Sequence, residues 1–242
     1  MPFTFAHPAV VIPFCKKQRY VSITALVLGS MAPDFEYFLH FRPYGVIGHT
    51  WLGFFYLNLP LVFILAYIYH YIVKRPFIEH LPWPFSIYYC NVASIPWKLT
   101  SWKEIFVFLY SALFGMLTHV VWDAFTHKTG YFVMNLPFLQ QSIYSIPIYK
   151  FMQHGSTCLG FVLITFVLLK YRDSQSKVDR ISVREKRKYW GWSMITALGA
   201  FIAHALLDPY FQILQIGSII VSGLTSVFCG IFIVSAVYKI RE

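Results

Sequence analysis

At 242 residues, 57% hydrophobic and 20% aromatic but only 12% charged, the chain excludes a soluble globular domain and fits a polytopic membrane protein. Its formal charge of +10 would suit nucleic acid, yet the basic residues fall in discrete groups between apolar stretches, so no nucleic-acid partner is expected. Cys15, Cys90, Cys158 and Cys229 are scattered without a CxxC, which argues against a thiolate zinc site and against a disulfide framework.

Residues 1–19 form an apolar, proline-punctuated segment that carries His7 and ends on Lys16, Lys17 and Arg19. It has no basic n-region and no small-residue cleavage site, so no removable signal peptide is expected. The apolar run 20–31 is short of the roughly 20 residues a membrane span needs, and Pro33 ends it just before Asp34 and Glu36. A re-entrant or half-helix is the expectation there. Five longer spans follow, at about 48–73, 102–127, 155–169, 189–207 and 213–238. The expected fold is an all-α, polytopic membrane helical bundle, with 1–242 forming one membrane-embedded domain. The connection 74–100 is rich in proline and tryptophan, as interfacial loops are.

Charge sets the expected orientation. Four basic residues (Lys74, Arg75, Lys98, Lys103), the eight between Lys170 and Lys188, and Lys239 with Arg241 fall on one side, 14 of the 20 in all. Only Arg42, Lys128 and Lys150 fall opposite. The 14-residue side is expected to be cytoplasmic, with the C-terminus inside and His49 outside.

The second long span departs from an ordinary apolar helix. It holds His119, Asp123 and His127 at i, i+4 and i+8, stacked on one helical face. An unpaired carboxylate in a span costs at least a few kcal/mol. Imidazole and carboxylate at this spacing suit a divalent cation; a proton relay or a polar knot closed by neighbouring helices would also compensate the cost. On the charge-derived topology, Asp34, Glu36, His49, Asp123, His127, His154, His204 and Asp208 gather at the outer face. His119 and His127 are about 12 Å apart along a continuous helix, so one ion with bonds near 2 Å reaches both only if the helix breaks. Asp123, midway, could bridge two ions about 3.5–4 Å apart. The expectation is therefore a multinuclear, zinc-type centre. Each residue also has a plainer role available: Asp34 as a helix cap, Glu36 as a first-turn dipole partner, His204 and Asp208 as a packing pair.

The segments MPFTFAHPAV, ALVLGSMAPDFEYF, GHT, HVVWDAFTH and QHGST, in that order, together resemble an uncharacterised family of bacterial membrane proteins. That family looks related to LexA-regulated inner-membrane proteins classed as metal-dependent hydrolases. More distantly, the order of residues is similar to zinc-dependent phospholipase C and the P1-type nucleases. The resemblance covers most of residues 1–160. It implies an inner-membrane location and His7, Asp34, His49, His119, Asp123, His127 and His154 as ligands, with His204 or Asp208 as further candidates, Glu36 being a further candidate from its place in the outer segment alone. It also implies two or three zinc ions and a role for Asp34 as ligand or general base. The later HxxxE of the soluble enzymes has no counterpart here.

The function expected is metal-dependent hydrolysis of a phosphoester at the extracytoplasmic membrane face. Membrane lipid would be both environment and substrate, and Arg42 a partner for phosphate. Transport of protons or metal ions and a non-catalytic metal-stabilised scaffold remain open beside it. The sequence leaves the oligomeric state undetermined.

Overall fold

Start signals written in the sequence fix where the helices begin. Ser101 and Glu104 form a reciprocal capping box: the Ser101 hydroxyl accepts from the Glu104 amide at 3.2 Å, and the Glu104 carboxylate accepts from the Ser101 amide at 3.0 Å. Ser22, Thr50 and Ser182 cap three other helices through their hydroxyls. The computed structural model of the chain describes residues 3–16, 20–173, 179, 181–211 and 215–241. Its elements include α1 (Ile23–Met31), α2 (Trp51–Glu79), α3 (Trp102–Thr126), α4 (Ile148–Lys170), α5 (Val183–Leu207) and α6 (Ile216–Ile240). Among the described residues, the only strands are β1 (Ser142–Ile143) and β2 (Ile146–Pro147) of one hairpin. The five segments containing α2 to α6 are long and apolar enough to cross a membrane. The protein is thus an all-helical integral membrane protein.

α1 is not a sixth span. Its nine residues rise about 13.5 Å, less than half of a hydrocarbon core of roughly 30 Å. Other span ends moved relative to expectation. α4 starts at Ile148 rather than near 155, immediately after Pro147, whose extended backbone serves as its N-cap. α2 runs through Lys74, Arg75 and Pro76 to Glu79. The π-helical turn Tyr69–Val73 precedes Pro76, so the backbone ladder is already irregular where the proline removes a donor. The start expected at 213 lies outside the described residues, as do Lys17 and Arg19.

The chain groups into two compact units. The first comprises Met1–Phe35, Val46–Phe63 and Leu99–Tyr171. A 3₁₀ segment, Thr4–Lys16, packs on both α1 and α4, and α1 packs along α3. Glycine makes the second contact possible: a Cβ on Gly29 would lie 2.3 Å from the Ala112 carbonyl oxygen, and one on Gly115 would lie 2.6 Å from that of Leu26. Small residues let backbones approach this closely, as in membrane helix pairs generally. Between α3 and α4 the chain makes two short helices and the hairpin. Tyr144 and Ser145 at the hairpin tip take positive φ, as a type I′ turn requires.

The second unit comprises Glu36–Gly45, Ile64–Lys98 and Arg172–Glu242. Its core is the α5–α6 pair, where Gly230 brings the backbones together against Ser193 and the buried Tyr189 hydroxyl pairs with that of Ser235 at 2.8 Å. Lys186 donates to Asp179 and Ser86, both at 2.6 Å, which ties the loop before α5 to the 64–98 segment.

Candidate metal centre

Four separated stretches of the first unit deliver imidazole and carboxylate to one place. His7 comes from the 3₁₀ segment, Asp34 from the turn after α1, His49 from the loop before α2, and His119 and Asp123 from α3. The local reasons are visible. Pro33 lies within the 3₁₀ turn Ala32–Asp34, at whose end Asp34 is fully buried. The Asn58 side-chain amide donates to the Gly48 carbonyl at 2.6 Å and pins the loop carrying His49. The i, i+4 spacing of α3 stacks His119 above Asp123.

The contacts are regular. His119 Nε2 lies 3.6 Å from Asp34 Oδ1 and 3.4 Å from Asp123 Oδ2. His49 Nε2 lies 3.5 Å and 3.7 Å from the same two oxygens. The other Asp123 oxygen, Oδ1, is 3.6 Å from His7 Nε2 and 3.4 Å from His127 Nδ1. The His7 and His119 rings stack with centroids 3.8 Å apart. These distances are too long for good hydrogen bonds. They are close to the edge of a tetrahedron of donors around zinc, about 3.3 Å for bonds near 2.05 Å.

Partners on the far side of each group fix its orientation. His119 Nδ1–H donates to the Ser30 carbonyl at 2.8 Å, which leaves Nε2 as the lone pair facing the carboxylates. Asp34 Oδ2 accepts the Thr4 hydroxyl at 2.6 Å, which leaves Oδ1 facing the histidines. Burial, and then the neighbouring His119, push His7 down to about 3, so its ring is neutral and able to ligate. Burial pushes the Asp34 carboxyl above its ordinary range, against the pull of His119 and of the Thr4 hydrogen bond. The residues fit a cation by one further test. His7 Nε2, Asp34 Oδ1, His119 Nε2, Asp123 Oδ1 and His127 Nε2 are buried without a hydrogen-bond partner. Buried polar atoms are rarely left so. Two three-residue groups satisfy metal-ligand spacing, His7–His119–Asp123 and Asp34–His49–His119. Asp34 and His119 are fully buried, while the side chains of His49 and His127 are 35% and 25% exposed.

The remaining sequence candidates fall as follows. His127 is the C-cap of α3, where ψ of 144° ends the helix. The i, i+4 spacing keeps its Nδ1 3.4 Å from Asp123 Oδ1. Its Nδ1 also lies 3.1 Å from the Asp123 carbonyl oxygen, and it belongs to neither three-residue group. His154 is exposed on α4 and is in neither group. Glu36, Arg42, His204 and Asp208 belong to the second unit. There Glu36 lies 4.0 Å from His40, and His204 lies 3.7 Å from Asp208. Arg42 sits over the rings of Tyr44 and Tyr210 at 5.0 Å and 4.5 Å. Sequence reasoning missed Thr4, though it stands three residues before His7. It also missed the Ser30 carbonyl, which as a backbone group leaves no residue-type signal.

Fold and site together define a helical integral membrane protein with a buried histidine–aspartate cluster suited to a divalent cation. The chain belongs to the family described as a domain of unknown function (DUF4184), which matches residues 1–236. No curated protein and no solved structure matches it significantly.

Proposed function

We propose that the protein is a metal-dependent membrane hydrolase with a multinuclear, zinc-type centre that acts on a phosphoester, a phospholipid being the first candidate. The observation that carries this reading is the doubly engaged Asp123 carboxylate. Oδ2 faces His49 and His119 beside Asp34, and Oδ1 faces His7 and His127. A carboxylate with each oxygen directed at its own pair of imidazoles suits a bridge between two cations. Such ions would bring the pKa of a bound water toward 7 and neutralise phosphate charge. In the hydrolysis, the water oxygen bonds to phosphorus, the phosphorus–oxygen bond to the leaving alkoxide breaks, and the water proton passes to that alkoxide. Asp34 Oδ1, beside both His49 and His119, is the residue set to hold a cation or to carry that proton.

The Lys and Arg distribution supports placing the C-terminus in the cytoplasm of a bacterial inner membrane and the cluster at the opposite face. The ion-transport reading finds little support along α3 on the N-terminal side of His119. The residues buried there are Phe108, Ser111, Ala112, Gly115 and Met116. Ser111 already donates to the Val107 carbonyl and accepts from the Ser22 amide. A metal-stabilised scaffold is the second reading, favoured by the four donors around the Asp34–His119 position, since closed four-ligand sites are typically structural. The position beside His7 and Asp123 Oδ1 is less complete and favours hydrolysis.

The test is metal analysis of the purified protein, with phosphoesterase assays on lipid substrates and the variants His119→Ala and Asp123→Ala. Stoichiometric zinc and metal-dependent turnover, both lost in the variants, are expected. Wild-type protein without stoichiometric metal ends the proposal; bound metal without turnover on any phosphoester selects the scaffold.

A further inference from the structure

His7 has a second environment. Besides stacking on His119 it lines a cavity of about 190 Å³ whose other walls come from the 3₁₀ segment (Ala6, Ala9, Val10, Pro13), from Trp122 of α3 and from Leu159, Gly160 and Leu163 of α4. The cavity exists because of sequence. Gly160 lets the 3₁₀ segment lie directly on α4, where a Cβ would come within 2.9 Å of the Ala6 carbonyl oxygen. Pro8 and Pro13 hold that segment in its narrow helix. Its polar wall atoms are already engaged. The Ser156 hydroxyl accepts from the Trp122 indole at 3.2 Å and donates to the Gln153 carbonyl at 3.1 Å. The lining is predominantly apolar, and apolar cavities accept apolar matter.

We propose that this cavity receives the apolar chain of the substrate, with His7 marking the junction between chain and phosphate; the substrate class is then a lipid phosphoester rather than a soluble one. This rests on the hydrolytic reading above. Two observations commit it to an aliphatic chain. The cavity is continuous through one imidazole with the candidate metal centre, and the protein lies in a bilayer, whose acyl chains are the apolar matter at hand. About six water-sized volumes of ~30 Å³ fill it, which corresponds to a chain of roughly six carbons.

The test uses the full-length, zinc-loaded protein in nanodiscs and a series of n-alkyl phosphodiesters from methyl to dodecyl. The expected kcat/KM rises by up to about fourfold per methylene through the first six or so carbons and then levels. Ala9→Phe, which fills the cavity, flattens that rise while zinc content stays at the wild-type value. A second measurement does not depend on turnover or on the variant folding. A non-hydrolysable alkyl phosphonate bearing a terminal diazirine is expected to label residues 6–13 or 159–163. Hydrolysis that is independent of chain length, or labelling confined to other segments, overturns the cavity assignment and leaves the hydrolase reading standing. Absence of hydrolysis at every length, with zinc bound, overturns the hydrolase reading and the cavity assignment with it.

Discussion

Replacing Asp123 by Asn tests the candidate centre most directly. The substitution keeps the shape of the side chain and removes its negative charge from among four imidazoles 3.4–3.7 Å away. Residues merely supporting a metal ligand are worth 10–100-fold in affinity, so loss of a shared ligand is expected to cost at least about 100-fold. Linkage makes that visible as stability. Zinc at 100 times the wild-type Kd stabilises the folded protein by about 2.7 kcal/mol, whereas the same zinc meets a variant with 100-fold weaker binding at its own Kd and adds only about 0.4 kcal/mol. For a chain of this length the wild-type gain is roughly 5–10 °C in Tm, against about 1 °C for Asp123→Asn. Thermal unfolding in detergent, with and without zinc and alongside bound-metal analysis, reads both. Equal zinc-dependent shifts in the two proteins would refute the bridging role. No shift in either would leave a polar knot of histidine–carboxylate pairs as the account of the cluster.

Three further outcomes follow from the same structure. Gly29→Val places side-chain atoms where the Ala112 backbone lies and forces α1 off α3, so it is expected to cost at least 1–3 kcal/mol; an unchanged Tm would show that this contact is not needed. His154→Ala should leave metal content at the wild-type value, because the exposed His154 lies outside both donor groups, whereas His49→Ala should lower it; metal loss in His154→Ala would reassign the ligand set. A cysteine at Tyr144, which is 95% exposed at the hairpin tip, should react with an impermeant maleimide in intact cells while one at Arg184 reacts only after lysis; the reverse would invert the topology.

Much of this architecture was legible because the relevant signals are local. Long apolar runs, the Ser101–Glu104 box and the short run ending at Pro33 name the spans and the half-helix without any tertiary information. The HxxxD of α3 was legible for the same reason, since i, i+4 spacing alone aligns His119 with Asp123. What was not legible is non-local. The four-stretch convergence depends on Gly29 and Gly115 bringing α1 against α3, and glycines in a membrane helix carry no mark of which partner they meet. The end of α3 at Thr126, with His127 as its C-cap, is a boundary finer than hydrophobic periodicity resolves. The surroundings of His154, exposed on the starting turns of α4, could not be read from a run that looked apolar only from 155 onward.

Donors at positions 7, 34, 49, 119 and 123 have a consequence for biogenesis. During synthesis the first three leave the ribosome long before the last two, and the growing polypeptide cannot close its cage until α3 has been inserted. A product truncated before residue 119 would lack the imidazole common to both donor groups. On the proposed reading, a cation is therefore gripped only by a chain completed through α3.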